Sequence, residues 1–278
     1  MPTTASSNKS PLAATIIEKL NAGESLANAD YSNQDLYAIA LEQANLKEVN
    51  FSNCVLTNAD LVGANLTGAN LSNADLRGAN LTGANLTGAN LTGAYLSRAD
   101  LRQADLTDAN LQDADFKVTI YDKNTKFPEE FNYISSGAVG PGASLNGAYL
   151  NTANLRGVDL TGAKMIGAYL SGADCTGAIL DDVSLSGANL QKAIMTGASL
   201  RNARLGNAEL KGVDFRAADL TGANLDNIQN IAGADFSMVV GLSEQGRSAI
   251  LGFPSQDLTT WNAYTRCNTK DSLMITNS

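Results

Sequence analysis

The chain contains no histidine in 278 residues. That excludes an imidazole general base, Ser-His-Asp and Cys-His nucleophiles, and histidine metal ligands. Charge is also scarce, at 17% of residues, and acids outnumber bases 28 to 19 for a net charge of −9. A general nucleic-acid binder needs a basic stripe to displace counterions, so direct nucleic-acid binding is not expected. Cys54, Cys175 and Cys267 are widely separated, with no metal-ligand spacing and no disulfide framework. No run of about eighteen apolar residues exists, and residues 1–10 lack a charged-then-apolar signal pattern. The expectation is a reduced, cytoplasmic protein that inserts in no membrane and carries no cofactor and no metal.

What the chain has instead is one short period. Ala64-Asn65-Leu66-Thr67-Gly68 recurs almost letter for letter, placing Leu61, Leu66, Leu71, Leu76, Leu81, Leu86 and Leu91 at the centres of successive units. A fixed period constrains architecture before any motif does. Five residues rotate a helical side chain by about 500°, so successive leucines would leave any one helix face. In a straight strand an odd spacing sends each next leucine to the opposite side. A bend inside every unit resolves both conflicts. Ala64 and Leu66 then face inward together, Asn65 faces outward, and Thr67-Gly68 turns the corner, where glycine, Asn or Asp tolerates the positive φ of a type II turn.

These units resemble the pentapeptide-repeat family, whose A(D/N)LxX motif winds into a right-handed quadrilateral β-helix. The resemblance spans units centred from about Leu26 to Phe116 and from Leu145 to Leu225, and it implies four sides and handedness. It also implies coils of about twenty residues stacked at the ordinary inter-strand spacing of about 4.8 Å. The expected fold is an all-β solenoid with short N- and C-terminal capping helices. Its core is the leucine ladder Leu61, Leu66, Leu71, Leu76, Leu81, Leu86 and Leu91, continued by Leu150, Leu155, Leu160 and Leu170. Cys54 and Cys175 occupy inward positions and read as small core residues.

Five segments follow. Residues 1–25 comprise a disordered start through Lys9 and a capping helix, with Ser10 as N-cap, Pro11 in the first turn, an apolar stripe at Leu12, Ile16, Ile17 and Leu20, and Gly23 as the stop. Residues 26–121 form the first array. Residues 122–142 break the phase with aromatics, Pro and Gly; a loop excursion is favoured over a hinge between two lobes. Residues 143–236 form the second array, continuing the same solenoid, with a six-residue step between Leu225 and Ile231 that slips the register. Residues 237–278 hold a capping helix at residues 242–251, with Ser243 as N-cap, and a non-repeat tail that either packs back or hangs free.

Chemistry-bearing clusters are few. The glycines mark corners, with no Gly-Lys-Ser/Thr. Asp100, Asp105, Asp108, Asp113 and Asp115 crowd one stretch, but the outward members belong to different faces and should splay into solvent. Residues 26–116 carry eleven acidic and four basic side chains, a balance of −7; residues 143–236 carry nine and seven, a balance of −2. No catalytic residue is expected, and the expected function is a non-enzymatic scaffold or protein-interaction module. Candidate partner contacts are Tyr121, Phe127, Phe131 and Tyr133 in the interruption, and Trp261 and Tyr264 in the tail. The alternative role for those aromatics is to cover the coil edge. Residues 122–140 are expected to be removable without unfolding the coils. Homodimerisation through the C-terminal region is a further expectation. The family resemblance also implies an alternative: some members imitate duplex DNA and bind type II topoisomerases, although the outward Asn65, Asn70, Asn80, Asn85 and Asn90 dilute any acidic ladder here.

Overall fold

The computed structural model describes residues 11–275. The expected disorder through Lys9 and the Ser10 cap lie outside the described residues. Two compact units divide the chain, residues 1–138 and 139–278, and each contains a right-handed quadrilateral β-helix.

The five-residue unit works because it satisfies every one of its amides. In the unit around Leu66, the Asn65 amide donates to Ala44 O at 2.9 Å, the Leu66 amide to Asn85 O at 2.7 Å and the Gly68 amide to Thr87 O at 2.9 Å. The Ala64 amide closes the preceding turn onto Leu61 O at 3.0 Å. The remaining Thr67 amide cannot reach a neighbouring coil and donates instead to Asn65 Oδ1 at 3.2 Å, as does the Thr67 hydroxyl at 2.7 Å. This is why the outward position favours Asn or Asp: the short side chain accepts from the backbone two residues on. Gly68 at φ +67 takes the left-handed position of the type II turn.

In the first unit parallel bridges join residues twenty apart, from Asp30↔Asn50 to Asp100↔Ile120. Four pentapeptides therefore make each coil. The expected ladder is the core: Leu61, Leu66, Leu71, Leu76, Leu81, Leu86 and Leu91 are all fully buried, and the inward alanines between them are equally so. Rungs twenty apart stack directly, so Leu61 lies under Leu81, and Leu71 under Leu91, with Leu76 continuing to Leu96 on a further side. At larger centres Tyr31 and Phe51 stack with centroids 5.8 Å apart. Where Ala is replaced by a polar atom, that atom finds a carbonyl: Cys54 Sγ donates to Tyr31 O at 2.8 Å and Thr119 Oγ1 to Leu96 O at 2.7 Å. On one face Asn50, Asn70 and Asn90 form an amide ladder running back to Asp30, with Nδ2 to Oδ1 distances of 2.9, 3.1 and 3.4 Å.

The coil is closed at its start by helix α1, Pro11–Asn21, which buries Ala13 and Ile16. Gly23 at φ +76 ends it: the Glu24 amide returns to Lys19 O and the Gly23 amide to Leu20 O, both at 2.9 Å. At the other end of this unit the ladder continues one rung further than the sequence suggests. Asp105 bridges Lys126, twenty-one residues on, so one extra residue is absorbed between Ile120 and Lys126. The turn is held by Asp122 Oδ1, which accepts from the Gln103, Asn124 and Thr125 amides at 3.0 Å each. Tyr121 is buried, and Phe127, Phe131 and Tyr133 are half-buried. Phe131 packs 4.9 Å from Phe116, and Phe127 stacks on Tyr133 at 4.7 Å. This segment covers Phe116, so the expectation that residues 122–140 can be removed freely is corrected: removal would uncover the end of a core.

In the second unit bridges run from Ser144↔Lys164 to Asp219↔Val240. Leu150, Leu155, Leu160 and Leu170 are buried, as are Met165, Cys175, Met195 and Phe215. The register slip appears as a bulge at Asn230, φ +42, where the Leu210 amide is shared between Gln229 O and Asn230 O and the pairing step becomes twenty-one at Asp214↔Asp235. Helix α2, Glu244–Leu251, starts at Ser243, whose hydroxyl accepts from the Gly246 amide at 3.0 Å.

Truncating a ladder residue and a cap residue should differ in cost. Leu86→Ala should lose about 2–5 kcal/mol, because a stacked interior cannot collapse around the cavity. Asn85→Ala should lose only about 0.5–1.5 kcal/mol, because water can take over the corner amide. Val118 is β-branched yet sits at φ +60, so Val118→Gly should gain about 1 kcal/mol after the entropy cost of glycine. Urea denaturation of each variant checks all three.

Candidate functional site

The tail does not hang free. It packs on the last coil of the second unit through a set of buried polar anchors. After α2 come helix α3, Ser255–Leu258, a hairpin of strands β1, Trp261–Asn262, and β2, Cys267–Asn268, and helix α4, Thr269–Ser272. Thr269 and Ser272 are fully buried. Thr269 Oγ1 reaches Ile231 O at 3.0 Å and Ala234 O at 2.9 Å, and the Phe236 amide donates to Ser272 Oγ at 3.0 Å. The Met238 amide donates to Ile275 O at 2.7 Å. These contacts give the unpaired backbone of a terminal coil its partners.

Asn262 fixes the hairpin in two directions. Its Nδ2 donates to Gly233 O at 2.8 Å, and its Oδ1 accepts from the Tyr264 amide at 2.9 Å. Arg266 takes the left-handed position at φ +58 that lets the loop close. Trp261 is 61% exposed and Tyr264 67% exposed. Both aromatic rings are therefore presented to solvent from a backbone tied to the coil.

Beside them, Arg216 is held by the fully buried Asp214, with Nη2–Oδ2 at 2.7 Å and Nε–Oδ1 at 2.9 Å, and its guanidinium lies 6.0 Å from the Tyr264 ring centroid. The hydrogen bond to Asp214 raises the Arg216 pKa further. The hairpin and the adjacent coil face border an open groove of about 460 Å³ with Lys192, Ile194, Lys211, Asp214, Trp261 and Tyr264 in its wall. Sequence reasoning singled out Trp261 and Tyr264 but missed the two lysines. Their nineteen-residue spacing, one less than a full coil, is the signal that places them on neighbouring rungs of one corner; the Lys192 amide donates to Lys211 O at 2.8 Å.

The other singled-out residues are placed differently. Tyr121 belongs to the interior at 3% exposure, so it is corrected from a partner contact to a core residue. Phe127, Phe131 and Tyr133 are engaged with one another and with Phe116 or Tyr121. Asp100, Asp105 and Asp115 stand on three separate ladders, bridging Asn80, Asn85 and Tyr95. They do not converge. Asp100 pairs with Arg102, Asp105 with Lys126, and Asp115 accepts from Ser97 Oγ. Among the described residues no group of His, Cys, Asp or Glu has the geometry of a metal site.

The three cysteines are free thiols, and Cys54 and Cys175 are buried. Burial pushes the Cys175 pKa up to about 12, which removes it as a nucleophile. Among the described residues no helix is long and apolar enough to cross a membrane.

A family model for pentapeptide repeats matches the chain in eight copies, over residues 44–83, 84–117, 142–172, 159–197, 168–207 and 198–229. Among solved structures, HetL, a pentapeptide repeat protein involved in heterocyst differentiation regulation from the cyanobacterium Nostoc sp. strain PCC 7120, is 30% identical. The match covers 81% of this chain and 95% of that one, with a TM-score of 0.37. Rfr23 from the cyanobacterium Cyanothece 51142 is 30% identical over 41% of this chain and 98% of its own, with a TM-score of 0.26. QnrB1, a plasmid-mediated fluoroquinolone resistance protein, is 18% identical over 81% of this chain and all of its own, with a TM-score of 0.30. No curated protein matches the chain.

The ion pair at the extra rung predicts a pH effect. The hydrogen bond from Lys126 Nζ, at 2.7 Å, holds the Asp105 carboxyl down from 3.8 to about 2. A folded-state pKa below the unfolded value means stability that is complete above about pH 4 and is lost as pH falls toward 2. Both partners are partly exposed, so the contribution is about 0.2–1 kcal/mol. In Lys126→Ala the Asp105 carboxyl should titrate nearer 3.8, read from its side-chain carbon resonance against pH.

Proposed function

This chain belongs to the pentapeptide-repeat family, and we propose that it serves as a non-enzymatic module that binds a protein partner through the tail-bearing end of its second unit. The observation that carries this reading is the pair of exposed aromatics, Trp261 and Tyr264, held on a hairpin whose base is buried and hydrogen-bonded. Tryptophan and tyrosine are enriched where interfaces gain most of their energy. A rigid mount lowers the ordering cost of using them. The coil itself provides the scaffold, with interior residues that are almost entirely apolar and corners that are mostly glycine, Asn and Asp.

The acidic-coil alternative, imitation of duplex DNA toward a type II topoisomerase, draws support from the net charge of −9. Charge placement weakens it. Asp75, Asp100, Asp105, Asp174, Asp214 and Asp219 are each paired with an arginine or lysine. The ladder Asp30, Asn50, Asn70, Asn90 and Asn110 is neutral beyond its first member. A DNA-like surface needs unbroken anionic rows, and these ladders do not supply them.

The test is affinity capture from the native host with identification by mass spectrometry, run beside the double variant Trp261→Ala, Tyr264→Ala. The expected result is a partner captured by the native chain and lost from the variant, with the melting temperature within about 2 °C, as befits exposed side chains. Equal capture by both proteins would remove the tail from the reading. A gyrase supercoiling assay decides the alternative; inhibition or protection at micromolar protein would favour it.

A further inference from the structure

The groove beside the hairpin has a chemistry of its own, and it differs from that of the rest of the chain. In a protein with nine more acids than bases, the wall between coil and tail carries two lysines around exposed aromatic surface, and the carboxylate that also lines it, Asp214, is tied to Arg216. Lys192 and Lys211 are both exposed, and among the described residues neither forms an ion pair. The stem of Lys192 runs along the corner; a Cβ on Gly212 would meet its Cγ at 3.4 Å. Ile194 adds an apolar side chain to the same wall. The indole N–H of Trp261, on a side chain 61% exposed, has no partner among the described residues.

We propose that this groove binds an extended acidic segment of a partner protein in which carboxylates alternate with large apolar side chains. The proposal rests on the protein-interaction reading above and names the chemistry of the partner. In an extended segment, side chains alternate sides, so one set of residues faces the groove while its neighbours face the rim. An apolar side chain enters between Ile194, Trp261 and Tyr264. Carboxylates on either side meet Lys192 and Lys211, which occupy neighbouring rungs about 4.8 Å apart. Arg216 is already committed to Asp214, so it braces Tyr264 by its position over the ring and leaves the two lysines to recognise charge. Among the described residues that line the groove the carboxylate is that of Asp214, which is only 2% exposed and is occupied by Arg216, so a basic partner gains no accessible carboxylate from the wall. Charge complementarity is what selects an acidic segment over other extended peptides.

Trp261 is the only tryptophan in the chain, so its emission reports directly on the groove when the probe has none. The full chain is titrated with acetyl-Asp-Leu-Glu-Phe-Asp-amide and, in parallel, with acetyl-Lys-Leu-Lys-Phe-Lys-amide. The expected result is a saturable change in emission with the acidic peptide that weakens as salt is raised. The lysine peptide should give none. In Lys192→Glu, Lys211→Glu the apparent affinity for the acidic peptide should fall about tenfold or more, with circular dichroism and melting temperature unchanged; Lys211→Glu alone should give an intermediate loss. No saturable change, or equal response to both peptides, would overturn the proposal. A change in emission on raising protein concentration without peptide, together with sedimentation as a dimer, would assign the groove to a second copy of the chain and would also overturn it. If the peptides fail while Trp261→Ala, Tyr264→Ala still abolishes capture of a partner, the interaction reading stands and the acidic chemistry falls.

Discussion

Everything in this protein depends on how a corner every five residues is reconciled with the need of each amide for a partner. Three of the five amides pair with the coils above and below, one closes the turn, and the last is left facing the corner. The outward Asn or Asp takes that last amide, as at Asn65, Asn80, Asn85 and Asn90. This one side chain explains the motif better than solubility does. Leucine could be replaced by Phe51, Met165 or Cys175 without changing the path of the chain, because the interior asks only for apolar volume. The cap asks for an acceptor of the right length.

A coil built this way has a weakness at each end, since its terminal rung offers unpaired backbone and open apolar interior. The chain deals with this in three places, each with different material. Helix α1 covers the start of the first unit with Ala13 and Ile16. The aromatic segment after Tyr121 covers Phe116 with rings. The tail finishes the second unit by sending the hydroxyls of Thr269 and Ser272 into its last rung. Closing an end and presenting a surface are compatible tasks. The tail satisfies the coil with its buried side and leaves Trp261 and Tyr264 outward, whereas the aromatic segment spends most of its rings on closure.

That division also explains why electrostatics reads differently in structure than in composition. An acidic total suggests an acidic surface, yet most outward aspartates work as caps or ion-pair partners within their own face. Asp105 is held by Lys126 and Asp214 by Arg216. The charge that remains available lies partly at the corners, and at the corner of Lys192 and Lys211 it is positive.

The period of five was sufficient, by itself, to determine the bend in every unit, the inward Ala and Leu, the outward Asn and the cornering glycine, because these follow from parity and local backbone geometry. Leu71, Leu76, Leu81 and Leu91 could be placed in the core on that ground alone, and all four are buried there. Ser243 and Gly23 were legible for the same reason: helix caps are decided within a few residues. What the sequence left open depends on residues brought together from far apart. Tyr121 reads as a surface aromatic until the rings of Phe127 and Tyr133 are seen against it. The insertions at 121–126 and at Asn230 look like loss of phase until the ladder is seen to absorb one residue and resume. The groove at Lys192, Lys211 and Trp261 joins a coil corner to a tail fifty to seventy residues further along. No local rule could place that tail; only the tertiary structure did, because its position is set by which unpaired carbonyls the last coil had left to satisfy.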